Sequence, residues 1–247
     1  MSKYYLGIMC GTSLDSIDIS IACCINTKIK AVGFKSYGLE DKLKKRINRQ
    51  KTSKASKKSL IELNYDISVK IASHIKNILK EFSIKKESVK GIGFPGITLN
   101  HRPDAGHSSY IGDPNIISSR TSIPVVADFR QTDIDAGGQG APLTGLFHNY
   151  LNGCKKEFIT FVNLGGFANI TLKKGGKVIA YDTGPSNYLI DLWCREKFNR
   201  DFDLDGRLAS MGDVDINLLK SLLKDKFFER PAPKSTGFEY FNHQWLK

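Results

Sequence analysis

YYLGIMCGTSLDSIDISIACC, residues Tyr4 to Cys24, is an apolar run, a short polar turn and an alternating run. In the second run Ile17, Ile19, Ile21 and Cys23 share one side of a period-2 pattern. Asp18, Ser20 and Ala22 share the other, which is how a half-buried strand reads. The stretch therefore predicts strand, turn, strand. It carries neither Gly-Lys-Ser/Thr nor Gly-x-Gly-x-x-Gly, and no helix follows its glycine, so it is neither a Walker loop nor a dinucleotide-binding turn. Gly11-Thr12-Ser13 offers another route to an anion. Glycine permits positive φ and close backbone approach, while successive N–H groups and two hydroxyls converge on one concavity suited to phosphate oxygens. Asp15 and Asp18 can stand beside a phosphate only if a cation such as Mg2+ shares the site. The competing reading is an ordinary hairpin turn with solvated Asp and Ser.

A second hairpin of similar layout follows in the other half of the chain: the β-rich run Phe158 to Val162, the glycine turn Asn163 to Asn169, and the return Ile170 to Lys174. Two such hairpins imply two related lobes gripping a nucleotide from both sides, an organisation that resembles the actin, Hsp70 and sugar-kinase superfamily. The wording of the turns narrows this. GTSLDSID at Gly11 to Asp18, DFRQTDIDAGGQGAPL at Asp128 to Leu143, NLGGFANIT at Asn163 to Thr171, YDTGPSN at Tyr181 to Asn187 and PAPKSTGFEYFN at Pro231 to Asn242 together resemble the anhydro-N-acetylmuramic acid kinase family.

That resemblance implies an α/β protein with a two-lobed, actin-like sugar-kinase (ribonuclease H-like) fold, its mixed sheets flanked by helices. Residues 1–127 would form lobe one and 128–247 lobe two. It also implies ATP-dependent opening of a 1,6-anhydro amino sugar, with water added at C1 and phosphate placed on O6. Gly11, Thr12, Ser13, Leu14, Asp15, Ser16, Ile17 and Asp18, with Gly165 and Gly166, would cradle ATP, Asp15 and Asp18 would meet Mg2+, and Thr98 and Arg130 would hold the sugar. The family continues beyond the point matched by Lys247, into a glycine-rich adenosine turn and a substrate-contacting Glu. The expectation is accordingly an incomplete second lobe, a chain that is not a competent kinase by itself, and a homodimer or a separately encoded C-terminal part as partner. Pro95, Ile97, Tyr110 and Ser16 stand where the family has His, Gln, Gln and Gly, so a catalytically impaired relative is the alternative.

The residues themselves carry part of this. Tyr181-Asp182 ends an apolar strand pattern and precedes a helix start, which places Asp182 to act as a general base. Its other possible role, helix N-cap, could be filled by Ser186. Pro124 to Asp128 reads as a buried strand delivering Arg130 at its end, where a guanidinium could hold a carboxylate bidentately or pair with Asp133 or Asp135. Leu60, Leu63, Ile67, Ile71, Ile75, Ile78 and Leu79 recur at helical spacing and predict an amphipathic helix, with His74 beside its apolar face. Asp201, Asp203 and Asp205 begin like a calcium loop, but Gly212 stands where the twelfth-position Glu is required, which excludes it.

The formal net charge of +12 raises a nucleic-acid-binding module as a third class. The excess is concentrated in Lys42, Lys44, Lys45, Arg46, Arg49, Lys51, Lys54, Lys57 and Lys58, without interleaved aromatics, and reads as a solvated face. Five cysteines with no paired spacing read as reduced thiols. No stretch approaches the ~18 apolar residues of a membrane span, so a cytoplasmic location, with no membrane or nucleic-acid partner, is expected.

Overall fold

The computed structural model describes residues 3–11, 14–26, 28–51, 56–153, 159–174 and 176–247. Thr12, Ser13, Cys154 and Phe158 lie outside the described residues. The chain forms two compact units, Met1–Gly138 and Gln139–Lys247.

The first unit runs β1 (Lys3–Met9), β2 (Ser16–Ile25), β3 (Lys28–Gly38), α1 (Asp41–Lys51), α2 (Lys57–Glu81), β4 (Val89–Gly93), β5 (Ile97–Arg102), β6 (His107–Ile111), α3 (Pro114–Thr121), β7 (Val125–Val126) and α4 (Phe129–Asp135). Its main sheet has the order β3-β2-β1-β4-β7. β1, β2 and β3 pair antiparallel, whereas β4 runs parallel to both β1 and β7. The sheet is thus mixed and flanked by helices, as expected. Ile17, Ile19, Ile21 and Cys23 of β2 are all buried, so the period-2 reading placed the correct face inward. Against that face packs α2, whose Leu63, Ile67, Ile71, Ile75, Ile78 and Leu79 are buried in the same core. Ser56 caps α2, its hydroxyl accepting from the Ser59 N–H. In α1 only Leu43 and Ile47 turn inward, leaving the Lys and Arg side chains on the outer face.

The second unit runs α5 (Gly145–Asn152), β8 (Phe161–Leu164), β9 (Phe167–Lys174), β10 (Lys177–Pro185), α6 (Asn187–Phe198), α7 (Ile216–Leu222), α8 (Lys226–Glu229) and α9 (His243–Leu246). β8, β9 and β10 form an antiparallel sheet in the order β10-β9-β8. A small core gathers Leu189, Phe227 and Phe241, with Trp245 and Phe167 packed against it.

One local expectation is corrected. Pro124 to Asp128 is not a buried strand: only Val125 and Val126 pair, and Val126 is 56% exposed. Asp128 adopts a left-handed conformation (φ 61°), and its carbonyl accepts from the Thr132 N–H. That bond starts α4, so Arg130 sits in a helical first turn and not at a strand end. The helix after Pro142 begins at Gly145. In the first hairpin the buried Leu14 is left-handed (φ 60°). The Leu14 N–H closes the turn onto the Gly11 carbonyl at 3.0 Å.

Candidate active site

Asp182 lies within β10, not at its end, and is 5% exposed. Asp182 pairs with Asn169 and Gly184 with Ala168, leaving Thr183 as an extra residue in β10. This is a β-bulge, a device that bends a strand and re-aims its side chains. Gly184 follows at φ 151°, and a Cβ there would stand 2.9 Å from Phe228 Cε1, so the bulge requires glycine.

The segment Lys234 to Thr236 runs along Asp182. The Asp182 N–H donates to the Lys234 carbonyl at 2.9 Å, and the Thr236 N–H donates to Asp182 Oδ2 at 2.9 Å. The carboxylate is thereby oriented by a backbone donor contributed from far along the chain. Ser235 Oγ and Thr236 Oγ1 are buried hydroxyls without a hydrogen-bond partner. Buried polar groups are nearly always satisfied in native structures, so this pair beside a carboxylate is provision for an oxygen-bearing ligand or water. In the sequence this segment belongs to the motif Pro231 to Asn242 that carries the family resemblance, and no role attaches to its residues. The cue was available in Lys-Ser-Thr after two prolines, but a backbone N–H aimed at a distant carboxylate leaves no mark on residue identity.

Gly165 and Gly166 face the start of α6. The Gly165 carbonyl accepts from the Asn187 N–H at 3.0 Å, and the Gly166 carbonyl accepts from Ser186 and Tyr188 at 3.1 and 3.0 Å. The first N–H groups of α6 are therefore engaged by the hairpin. Ser186 occupies the N-cap position but makes no side-chain capping bond. The turn itself caps the helix, and Asp182 is not its cap.

In the first unit Asp18 Oδ1 accepts from Ser16 Oγ at 2.8 Å and Ser36 Oγ at 2.6 Å, while Asp15 is exposed at the turn. Two hydroxyl donors occupy one oxygen of Asp18, and no group of three or more metal-type ligands occurs among the described residues. A dedicated protein cage for a cation does not fit these residues. A hydrated Mg2+ held chiefly by phosphates, with one or two carboxylates, does. Burial pushes the neighbouring Cys10 thiol up to about 11, making it a packing group and not a nucleophile.

Thr98, the second residue of β5, pairs with Tyr110 of β6. Tyr110 donates to Asp128 Oδ1 at 2.7 Å. Burial, and then this bond, push the phenol well above its ordinary range. From α4, Gln131 accepts from the Ser108 N–H at 2.9 Å and donates to the Gly106 carbonyl at 3.1 Å. The strand bearing Thr98 and the helix bearing Arg130 are thus tied together twice through β6. Ile97 is 1% exposed and pairs with Ile111, so an apolar side chain at that position serves the core.

These features match a class of phosphotransferases in sequence. The family model described as anhydro-N-acetylmuramic acid kinase matches residues 3–247. A curated relative of that name from Vibrio cholerae is 38% identical over 249 residues, covering 99% of this chain and 67% of its own length. Another, from a Sulfurovum species, is 40% identical over 248 residues, covering 98% of this chain and 68% of its own. The chain spans about two-thirds of the length of these relatives. Among solved structures, an Aquifex aeolicus member of the Ppx/GppA family gives a TM-score of 0.42 at 12% identity, covering 91% of this chain and 62% of that one, too loose a likeness to bear on the fold.

The chain is that of a kinase. It belongs to the anhydro-N-acetylmuramic acid kinase family.

Proposed function

We propose that the chain takes part in ATP-dependent opening of 1,6-anhydro-N-acetylmuramic acid, giving N-acetylmuramic acid 6-phosphate in the recycling of cell-wall sugars in the cytoplasm. The observation that carries this reading is the buried Asp182 carboxylate, oriented by the Thr236 N–H beside two unpartnered hydroxyls. Asp182 accepts a proton from a water that attacks the anomeric carbon. The water oxygen bonds to C1 as the C1–O6 bond breaks, O6 takes the γ-phosphoryl group, and ADP leaves. Ser235 and Thr236 offer hydroxyls to the water or to a sugar oxygen. Arg130 and Thr98 bind the sugar, the guanidinium meeting the lactyl carboxylate.

Gly11 to Asp18 and the N–H side of the Gly165-Gly166 turn receive phosphate oxygens, with Asp15 and Asp18 the residues that would hold Mg2+. The cation neutralises charge on the phosphates when bound. Among the described residues no helix is long and apolar enough to cross a membrane, which accords with a reaction among small polar solutes.

The test is incubation with ATP and the anhydro sugar in oxygen-18-labelled water, followed by mass spectrometry. Label at C1 together with phosphate at O6 is expected. Phosphorylation without incorporation of label would remove water, and with it the base, from the mechanism.

A further inference from the structure

Lys234 is 7% exposed and has carbonyl oxygens, not a carboxylate, as its hydrogen-bond partners. Its Nζ donates to the Phe227 carbonyl at 2.8 Å and to the Phe228 carbonyl at 3.3 Å, and lies 4.5 Å from the centroid of the Phe227 ring. These carbonyls belong to α8, where the C-terminal end of the helix dipole favours a cation. The other end of α8 is fixed as well. Asp225 accepts from the Phe227 N–H at 2.8 Å, from Tyr240 Oη at 2.7 Å and from Trp245 Nε1 at 2.8 Å. Phe227 itself is fully buried.

A buried ammonium costs several kcal/mol to desolvate, and here burial, followed by the charge of Arg230, holds the amine below its ordinary range. A surface loop would have no need of such a residue. What Lys234 does hold is the backbone around it: its own carbonyl receives the Asp182 N–H, and two residues on, the Thr236 N–H reaches Asp182 Oδ2. We infer that Lys234 is a positioning residue for Asp182, stapling the Lys234 to Thr236 backbone to α8 so that the Thr236 N–H and the carboxylate stay in register. The inference rests on the reading of Asp182 as the base, but its geometry can be tested apart from that reading.

Two measurements on the whole chain decide it. In Lys234→Met, exchange of the Thr236 amide should accelerate by about tenfold or more while amides of β1 and α2 keep their protection, since local opening would be confined to the staple. In the kinase assay, with the C-terminal part of the enzyme supplied in trans, the same variant should lose about tenfold or more in kcat with KM for sugar and ATP within about twofold, and Lys234→Arg, which keeps two donors and the charge, should recover most of it. In an Asp182→Asn background the Lys234→Met penalty should shrink to less than about twofold, because residues acting as a unit are not additive.

Should Lys234→Met fold poorly, Lys234→Gln, which retains a donor for one carbonyl, should show the same pattern in weaker form. Unchanged Thr236 exchange, or a full additive penalty in the Asp182→Asn background, would overturn the inference. Near-normal turnover by Asp182→Asn alone would instead remove the base assignment and leave the exchange result to judge the staple.

Discussion

The Thr236 amide donates to Asp182 Oδ2 at 2.9 Å although the two residues are 54 positions apart in the chain. A carboxylate held by a backbone donor is fixed in direction and stays an acceptor, which is the state a general base needs before it takes a proton. Asp182→Asn keeps the size of the side chain but removes the basic oxygen. In an active, completed form of the enzyme kcat is expected to fall by on the order of a hundredfold or more, with ATP affinity measured by calorimetry nearly unchanged. Turnover within a few fold of the parent would exclude Asp182 from proton transfer.

Gly96 should be intolerant of a side chain. It has φ 77°, and a Cβ there would stand 2.1 Å from Tyr110 Cδ2, inside the ring that reaches Asp128. Gly96→Ala combines overpacking with left-handed strain and should cost about 2–4 kcal/mol in urea unfolding. A change under about 0.5 kcal/mol would mean that Tyr110 moves aside freely and that its bond to Asp128 does not order the start of α4.

Stability should fall on acidification through His74. Its ring stacks on Tyr37 with centroids 4.0 Å apart, and both ring nitrogens are buried without a partner. Burial, and then the charge of Lys70, lower its pKa below 6.5. The unfolded chain therefore takes up the proton first. The contribution of neutral His74 is fully present above pH 6.5 and is lost as the pH falls through the lowered folded value. His74→Phe, which preserves the stack, should flatten the decline in melting temperature between about pH 7 and 5. A variant with the same slope as the parent would assign the acid sensitivity elsewhere.

Basic helix α1 is amphipathic, with Leu43 and Ile47 inward and Arg46 engaged by Asp66 at 2.6 Å. Its charges form an outer face without stacking residues, so retention on duplex DNA should be weak and should fall steeply with added salt. Sequence-selective, submicromolar binding at physiological salt would contradict that expectation and reopen the nucleic-acid reading.

How much the residues disclosed depended on whether the cause was local. The alternation of Ile17, Ile19, Ile21 and Cys23 is a property of neighbouring positions, and so is the spacing from Leu63 to Leu79; both identified the buried face directly. α4 was misread because Asp128 turns left-handed, and nothing in Asp-Phe-Arg distinguishes that from a continuing strand. Leu14 is left-handed while buried in the core, and nothing in its residue type marks that conformation. The neighbours of Asp182 read as the end of a strand, but β10 continues past it because one unpaired residue allows a strand to run through Thr-Gly-Pro. The hydrogen bonds of Lys234 and Thr236 each have a backbone atom on one side, and backbone atoms are the same in every residue.

Thr183 is exposed, and its hydroxyl donates to the Ala168 carbonyl at 3.2 Å. What the strand needs at this position is a unit of length. Most residues could stand here with little consequence, whereas removing the position altogether would let β10 pair with β9 without interruption and take the slack from between Asp182 and Gly184. The sheet would become more regular, and the carboxylate would lose its alignment with an amide that arrives from another part of the chain. The structural constraint at residue 183 is therefore one of spacing and not of side-chain type.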